Sequence, residues 1–152
     1  MSFDADSFLS LTIDQPLDTR MTPVPEGEYT ASIKQLIPRT GESKKNGSEF
    51  LVMDVIWEID DATGAVKAAT GRSPATVKQS MFLDRNSSGG IATGAGANLR
   101  LGRLREAVGQ NTGGPWAPSM LKGCVARVQV SHRLDDKDAS IVYDEVTRVA
   151  KL

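Results

Sequence analysis

Glu49-Phe50-Leu51-Val52-Met53-Asp54-Val55-Ile56-Trp57-Glu58-Ile59 is apolar on both faces and rich in β-branched and aromatic residues, and it decides the fold. A strand that is apolar on both faces is covered on both, so it is central in a sheet. Asp60-Asp61-Ala62-Thr63-Gly64 breaks it, as a run of turn-forming residues should.

Toward the N-terminus, Asn46-Gly47 is a strong turn dipeptide, set in a polar loop from Arg39 to Ser48 that carries Lys44 and Lys45. Before that loop a first strand is predicted from Glu28 to Leu36, where Tyr29, Ala31 and Ile33 alternate with polar residues. Pro25-Glu26-Gly27 opens it and Pro38 ends it. Toward the C-terminus, Ala65 to Ala75 shows no pattern, and a third strand runs from Thr76 to Leu83 with Val77, Gln79 and Met81 on one face. Gly89, Gly90, Gly94 and Gly96 make Arg85 to Ala97 costly to order, which predicts a mobile loop.

One helix is predicted next. Asn98 is its N-cap, Leu101, Leu104 and Val108 recur at helical spacing, and Gly109 ends it. Arg100, Arg103 and Arg105 project off the apolar stripe. After Pro115-Trp116 and a short turn from Pro118 to Leu121, a fourth strand spans Gly123 to Arg133, with Cys124, Ala126, Val128 and Val130 in alternation. Leu134 to Asp138 is an acidic turn, and a fifth strand spans Ala139 to Val149 with Ile141, Tyr143, Val146 and Val149.

Residues 1–25 have no sustained period, and Pro16, Pro23 and Pro25 exclude a long helix. They read as an extended acidic arm, with a helical turn between Asp4 and Leu11 that sets Phe3, Phe8 and Leu11 on one side. The fold class is therefore mainly β with one helix (α+β): a domain over residues 26–152 behind the arm. Three strands, a helix and two strands is the order of the five-stranded Greek-key barrel of the oligonucleotide-binding (OB) fold. A length of 152 residues suits one such domain.

A hydrophobic fraction of 39% and a charged fraction of 24% are ordinary for a globular chain. No apolar run approaches the roughly 20 residues that cross a bilayer, so no membrane partner is expected. The acidic start MSFDADSF lacks the pattern of a secretory signal, and the single Cys124 makes no internal disulfide, which predicts a reducing, intracellular compartment. The net charge of −1 is unevenly placed. Up to residue 30 one basic residue faces six acidic ones, and beyond it 17 basic residues face 13 acidic ones, so an arm of −5 joins a body of +4.

Chemistry-bearing constellations do not emerge. One cysteine and one histidine, Cys124 and His132, do not make a zinc site, and no metal or cofactor is expected. Eight residues apart on one strand, they lie about 26 Å from each other and cannot act as a nucleophile and base; His132 reads as a structural or solvent-facing histidine. Gly94-Ala95-Gly96-Ala97-Asn98-Leu99 lacks both the third glycine and the strand–helix context of a dinucleotide site. Asp60-Asp61, Asp135-Asp136 and Asp144-Glu145 are adjacent pairs that turns or alternation separate, so no acid–base pair forms. The protein is expected not to be an enzyme.

What remains is a binding surface. Lys34, Arg39, Lys44 and Lys45 cluster about the first hairpin; Arg72, Lys78 and Arg85 flank the third strand, and Arg127 and Arg133 lie on the fourth. Single strands are held by such cations together with aromatic rings on which bases stack. The candidate rings are Phe50, Trp57, Phe82, Trp116 and Tyr143, with Trp57, Phe82 and Trp116 foremost.

Four segments carry a resemblance: Pro25 to Ile33, Gly47 to Val55, Leu101 to Gly109 and Leu121 to Val128. Together they resemble small tailed-phage proteins of an uncharacterised-domain family found among replication and recombination genes and suspected of binding single-stranded DNA. The resemblance implies a non-catalytic, largely sequence-independent single-stranded-DNA-binding protein in the host cytoplasm, a homo-oligomer with phage recombinase or replication proteins as partners. Phage single-strand binders carry an acidic C-terminal tail, whereas here the acidic segment is N-terminal. The alternative is a virion structural protein, a capsid-decorating or cement subunit whose arm contacts neighbouring capsid protein.

Overall fold

The computed structural model describes residues 2–152; residue 1 of the arm lies outside them. The central stretch is a strand, β2 (Glu49–Ile59), between β1 (Gly27–Glu42) and β3 (Thr76–Leu83). β1 also pairs with β4 (Val125–Leu134), and β4 with β5 (Val142–Ala150), all antiparallel, so the sheet order is β3-β2-β1-β4-β5.

The sheet is open. β3 and β5 approach each other without pairing, and helix α3 (Leu99–Ala107) lies against both. At Ser80 the carbonyl on the free edge of β3 accepts from the Arg100 guanidinium at 3.0 Å. A side chain from the helix thus takes the place that a closing strand would need, and no β3–β5 ladder completes a barrel.

Alternation on β2 and β3 delivers the core. Val55, Trp57, Val77, Met81 and Gln79 face inward, where they meet Ile33, Val128, Val130 and Val146 from the other strands and Leu101 and Leu104 from α3. Trp57 has no exposed surface, and its indole N–H donates to Gln79 Oε1 at 3.0 Å, so each buried polar group satisfies the other.

β1 runs six residues past the predicted end, straight through Pro38. Its pairing with β4 stops at Ser32, and a bulge falls between Ile33 and Gln35. Beyond that point one side of β1 is a free edge, where a residue without an amide donor does no harm. The true hairpin turn shrinks to Ser43–Ser48, closed by Ser43 N–H donating to Ser48 O at 2.8 Å, with Gly47 at φ +69°.

The unpatterned stretch holds a second helix, α2 (Ala65–Thr70). The Asp61 carboxylate accepts from the amides of Val66 and Lys67 at 3.0 and 2.8 Å, and Val66 is buried. Asp61 is therefore a helix-capping group rather than a merely solvated turn residue. Asn98 does not cap α3 with its side chain: it adopts φ +52°, and its amide group bonds Asp84 and Ala92 across the loop. The loop from Arg85 to Ala97, expected to be mobile, is thus tied at Asn98, and Asn86 closes a turn inside it by accepting from Ser88 and Gly90. Gly109 does end α3: its N–H donates to Glu106 O and that of Gln110 to Arg105 O, a Schellman pair.

Within the arm, α1 (Ala5–Leu9) forms, with Phe3 and Phe8 at 5.7 Å. The arm joins the sheet at Val24, which is fully buried; its N–H donates to Asp144 and its carbonyl meets His132 Nε2 at 2.7 Å. His132 thus anchors the arm.

Candidate nucleic-acid interface

Cross-strand register places the outward residues of β1, β2 and β3 in rows. Gly41 lies beside Phe50; Arg39, Val52 and Phe82 form the next row, then Ile37, Asp54 and Ser80, then Gln35, Ile56 and Lys78. One face therefore gathers Arg39, Lys78, Phe50 and Phe82. Phe82 is 68% exposed and meets the edge of Phe50 at a centroid distance of 5.4 Å. Phe50 lies on the β1 backbone at Gly41, where a Cβ would come within 2.5 Å of the ring. Glycine at 41 is what lets the ring lie down.

Beneath the rings and cations sits Asp54, which is buried although it points outward. Arg39 Nε donates to it at 2.8 Å and the Ser80 hydroxyl at 2.5 Å. Burial alone would raise the Asp54 pKa. The hydrogen bonds from Arg39 and Ser80 and the positive charge of Lys78 outweigh it and hold the carboxyl below its ordinary value, while the same hydrogen bond raises that of Arg39. Arg39 is thereby fixed in place, half-exposed over the face.

At the end of this face the hairpin carries exposed Lys44 and Lys45, and Arg85 follows β3. Arg85 is spoken for in part: it pairs with Glu49 at 3.0 Å and donates to Gly89 O. Lys44, Lys45 and Lys78 have no carboxylate within ion-pair distance among the described residues.

The other predicted residues lie elsewhere. Trp57 belongs to the core and has no ring face to offer, because inward alternation on a central strand puts it there. Arg72 holds the arm, donating to Thr22 O at 2.9 Å with Asp144 at 3.7 Å. Trp116 is half-buried beyond α3; the Arg105 guanidinium covers its ring at 4.3 Å, and its N–H donates to Gln110. Arg127 is exposed opposite Thr30, nine residues along β1 from Arg39, a separation of roughly 30 Å. Lys34 is exposed at the bulge where β1 leaves β4. Tyr143 stacks under Arg133 at 4.9 Å and donates to Asp135.

A second group of cations lies outside the binding surface that sequence patterning assembled. Arg100 and Arg103 on α3 stand across a groove from Arg148 and Lys151 at the end of β5. The three-residue spacing of the first two signals one helix face, but nothing local to α3 signals β5 as its neighbour.

Among the described residues no three His, Cys, Asp or Glu side chains are grouped to hold a metal ion, and no helix is long and apolar enough to cross a membrane. No protein-family model matches the chain, and no curated protein matches it significantly in sequence.

Proposed function

We propose that this protein binds single-stranded DNA, largely without regard to sequence, on the outer face of β1, β2 and β3 of an OB-like barrel whose β3–β5 seam is left unpaired. The observation that carries this is the exposed Phe82 ring, resting against half-buried Phe50, on a face that also carries Arg39 and Lys78 and has Lys44 and Lys45 at its end. An aromatic ring that is 68% exposed on a regular strand offers a base a stacking surface, and lysines outside any ion pair among the described residues offer its phosphates charge. The protein takes part in phage replication or recombination in the host cytoplasm as a homo-oligomer beside recombinase or replication proteins, and performs no chemistry itself. Fluorescently labelled oligo-dT at about 50 mM salt tests this by anisotropy. Binding is expected, and Phe82→Ala should weaken it roughly 5- to 150-fold, the equivalent of about 1–3 kcal/mol per stacked base. No binding by the wild type at that salt overturns the proposal.

One observation favours a second reading, a virion decoration or cement subunit. Phe3, Phe8, Leu9, Leu11, Ile13, Leu17 and Met21 are all mostly exposed along the arm, and such a run of apolar side chains marks a surface that meets another protein. Under that reading the arm lies on neighbouring capsid protein, and mass spectrometry of purified virions finds the chain there. A replication protein would be missing from them.

A further inference from the structure

We infer that the groove between α3 and β5 is a second nucleic-acid contact, a track for the phosphodiester backbone of the strand that leaves the β1–β3 face; this rests on the single-stranded-DNA reading above. The groove has a volume of about 640 Å³, and Arg100, Arg103, Arg148 and Lys151 line it against a single carboxylate, Glu106. Four cations and one acid give +3 locally in a chain whose net charge is −1.

None of the four makes an ion pair among the described residues, whereas Arg20, Arg39, Arg72, Arg85 and Arg133 each face a carboxylate. Like charges that outnumber their counter-charge four to one repel one another, and a cleft between them focuses their field outward toward an anionic ligand. The floor, Leu104 with Val149, is apolar and no exposed ring lines the groove. That composition suits phosphates and offers bases nothing to stack on, the reverse of the Phe82 face.

The two surfaces are continuous. Arg100 donates to Ser80 O at the free edge of β3, and the hydroxyl of the same Ser80 donates to Asp54 on the outer face, two residues from Lys78. A strand stacked on Phe82 therefore passes Lys78, crosses the unpaired edge of β3 and arrives between the arginines. The seam left open by the missing β3–β5 ladder is what makes this crossing available.

The test compares dT8 with dT20, lengths within and beyond the roughly 4–16 nucleotides that one such fold covers. Anisotropy titrations at several salt concentrations, with the full chain, are run on the wild type, Arg103→Ala/Arg148→Ala and Phe82→Ala. Both substituted arginines are exposed, and circular dichroism with urea midpoints checks that folding is unchanged. The double variant is expected to bind dT20 at least about 5-fold more weakly, with its salt slope smaller by about 1.4, the loss of two phosphate contacts on a single strand. Its affinity for dT8 stays within about 2-fold of wild type, while Phe82→Ala weakens both lengths. If the double variant keeps the wild-type dT20 affinity and slope while Phe82→Ala weakens binding, the track is wrong and the face stands. An equal loss on dT8 and dT20 also overturns it, since the groove is then no separate segment. If neither oligonucleotide binds the wild type, the face and the track fall together.

Discussion

The two faces of β1, β2 and β3 are built from the same eleven-residue strand and its neighbours, yet they obey different rules. On the inner face Val55, Trp57, Val77 and Met81 are sealed, and the one polar pair, Trp57 with Gln79, is satisfied within itself. On the outer face Val52 and Asp54 are also buried, but under side chains rather than under a second layer: Arg39 bonds Asp54 from above, Phe82 stands beside Val52, and Phe50 lies in the next row toward the hairpin. The inner face spends its residues on stability. The outer face is a thin cover of two rings and two cations that stays accessible.

That contrast is broken most sharply at Trp57. Trp57→Ala should cost about 3–5 kcal/mol, by loss of transfer energy and a residual cavity, read as a fall in the urea midpoint; a cost under 1 kcal/mol would mean that the inner face is not the core. Asp54→Ala comes next, at about 1–3 kcal/mol, because it strands the Ser80 hydroxyl and frees Arg39. The carboxyl also predicts a pH effect. Its folded pKa lies below the unfolded value of about 3.9, so its contribution is present above that pH and fades as pH falls through the folded value. Between about pH 5 and 2 the wild type should lose more stability than Asp54→Asn, and parallel acid titrations would refute this.

Phe82→Ala sharpens the comparison from the other side. Because the ring is 68% exposed, thermal denaturation should change by no more than about 0.5 kcal/mol, while oligo-dT affinity drops. A large loss of stability would make Phe82 a packing residue instead. Smallest of all, Lys44→Ala/Lys45→Ala should leave folding alone and lower the salt dependence of oligo-dT binding by a slope of about 1.4; an unchanged slope would remove the hairpin from the interface.

Much of this was legible from residues alone where one period decides. β2 and β3 fall on the predicted boundaries, Glu49–Ile59 and Thr76–Leu83, since alternation and flanking turn residues are local signals. The extension of β1 through Pro38 was not, because proline is tolerated there only owing to the end of the β4 partnership at Ser32. α2 escaped because six residues have no period to show; its signals are Asp61 and the C-terminal Gly71. Of the site, Arg39, Phe82 and Lys78 share the outer face of β1–β3, and Lys44, Lys45 and Arg85 stand at the hairpin end of that face. Arg72, Arg127, Lys34, Trp57 and Trp116 do not, since being a cation or an aromatic says nothing about which row of a coiled sheet a residue occupies.

By itself the amino-acid order determined a mainly β chain, its central strand, one principal helix and an acidic proline-bearing arm. Each rests on periodicity or backbone chemistry within a dozen neighbouring residues. Only the tertiary structure decided that the sheet stays open between β3 and β5, that Trp57 lies inside while Phe82 lies outside, and that α3 and β5 share a cationic groove. These depend on the register between distant strands and on what packs across them, quantities set by three-dimensional burial and hydrogen bonding rather than by any local pattern.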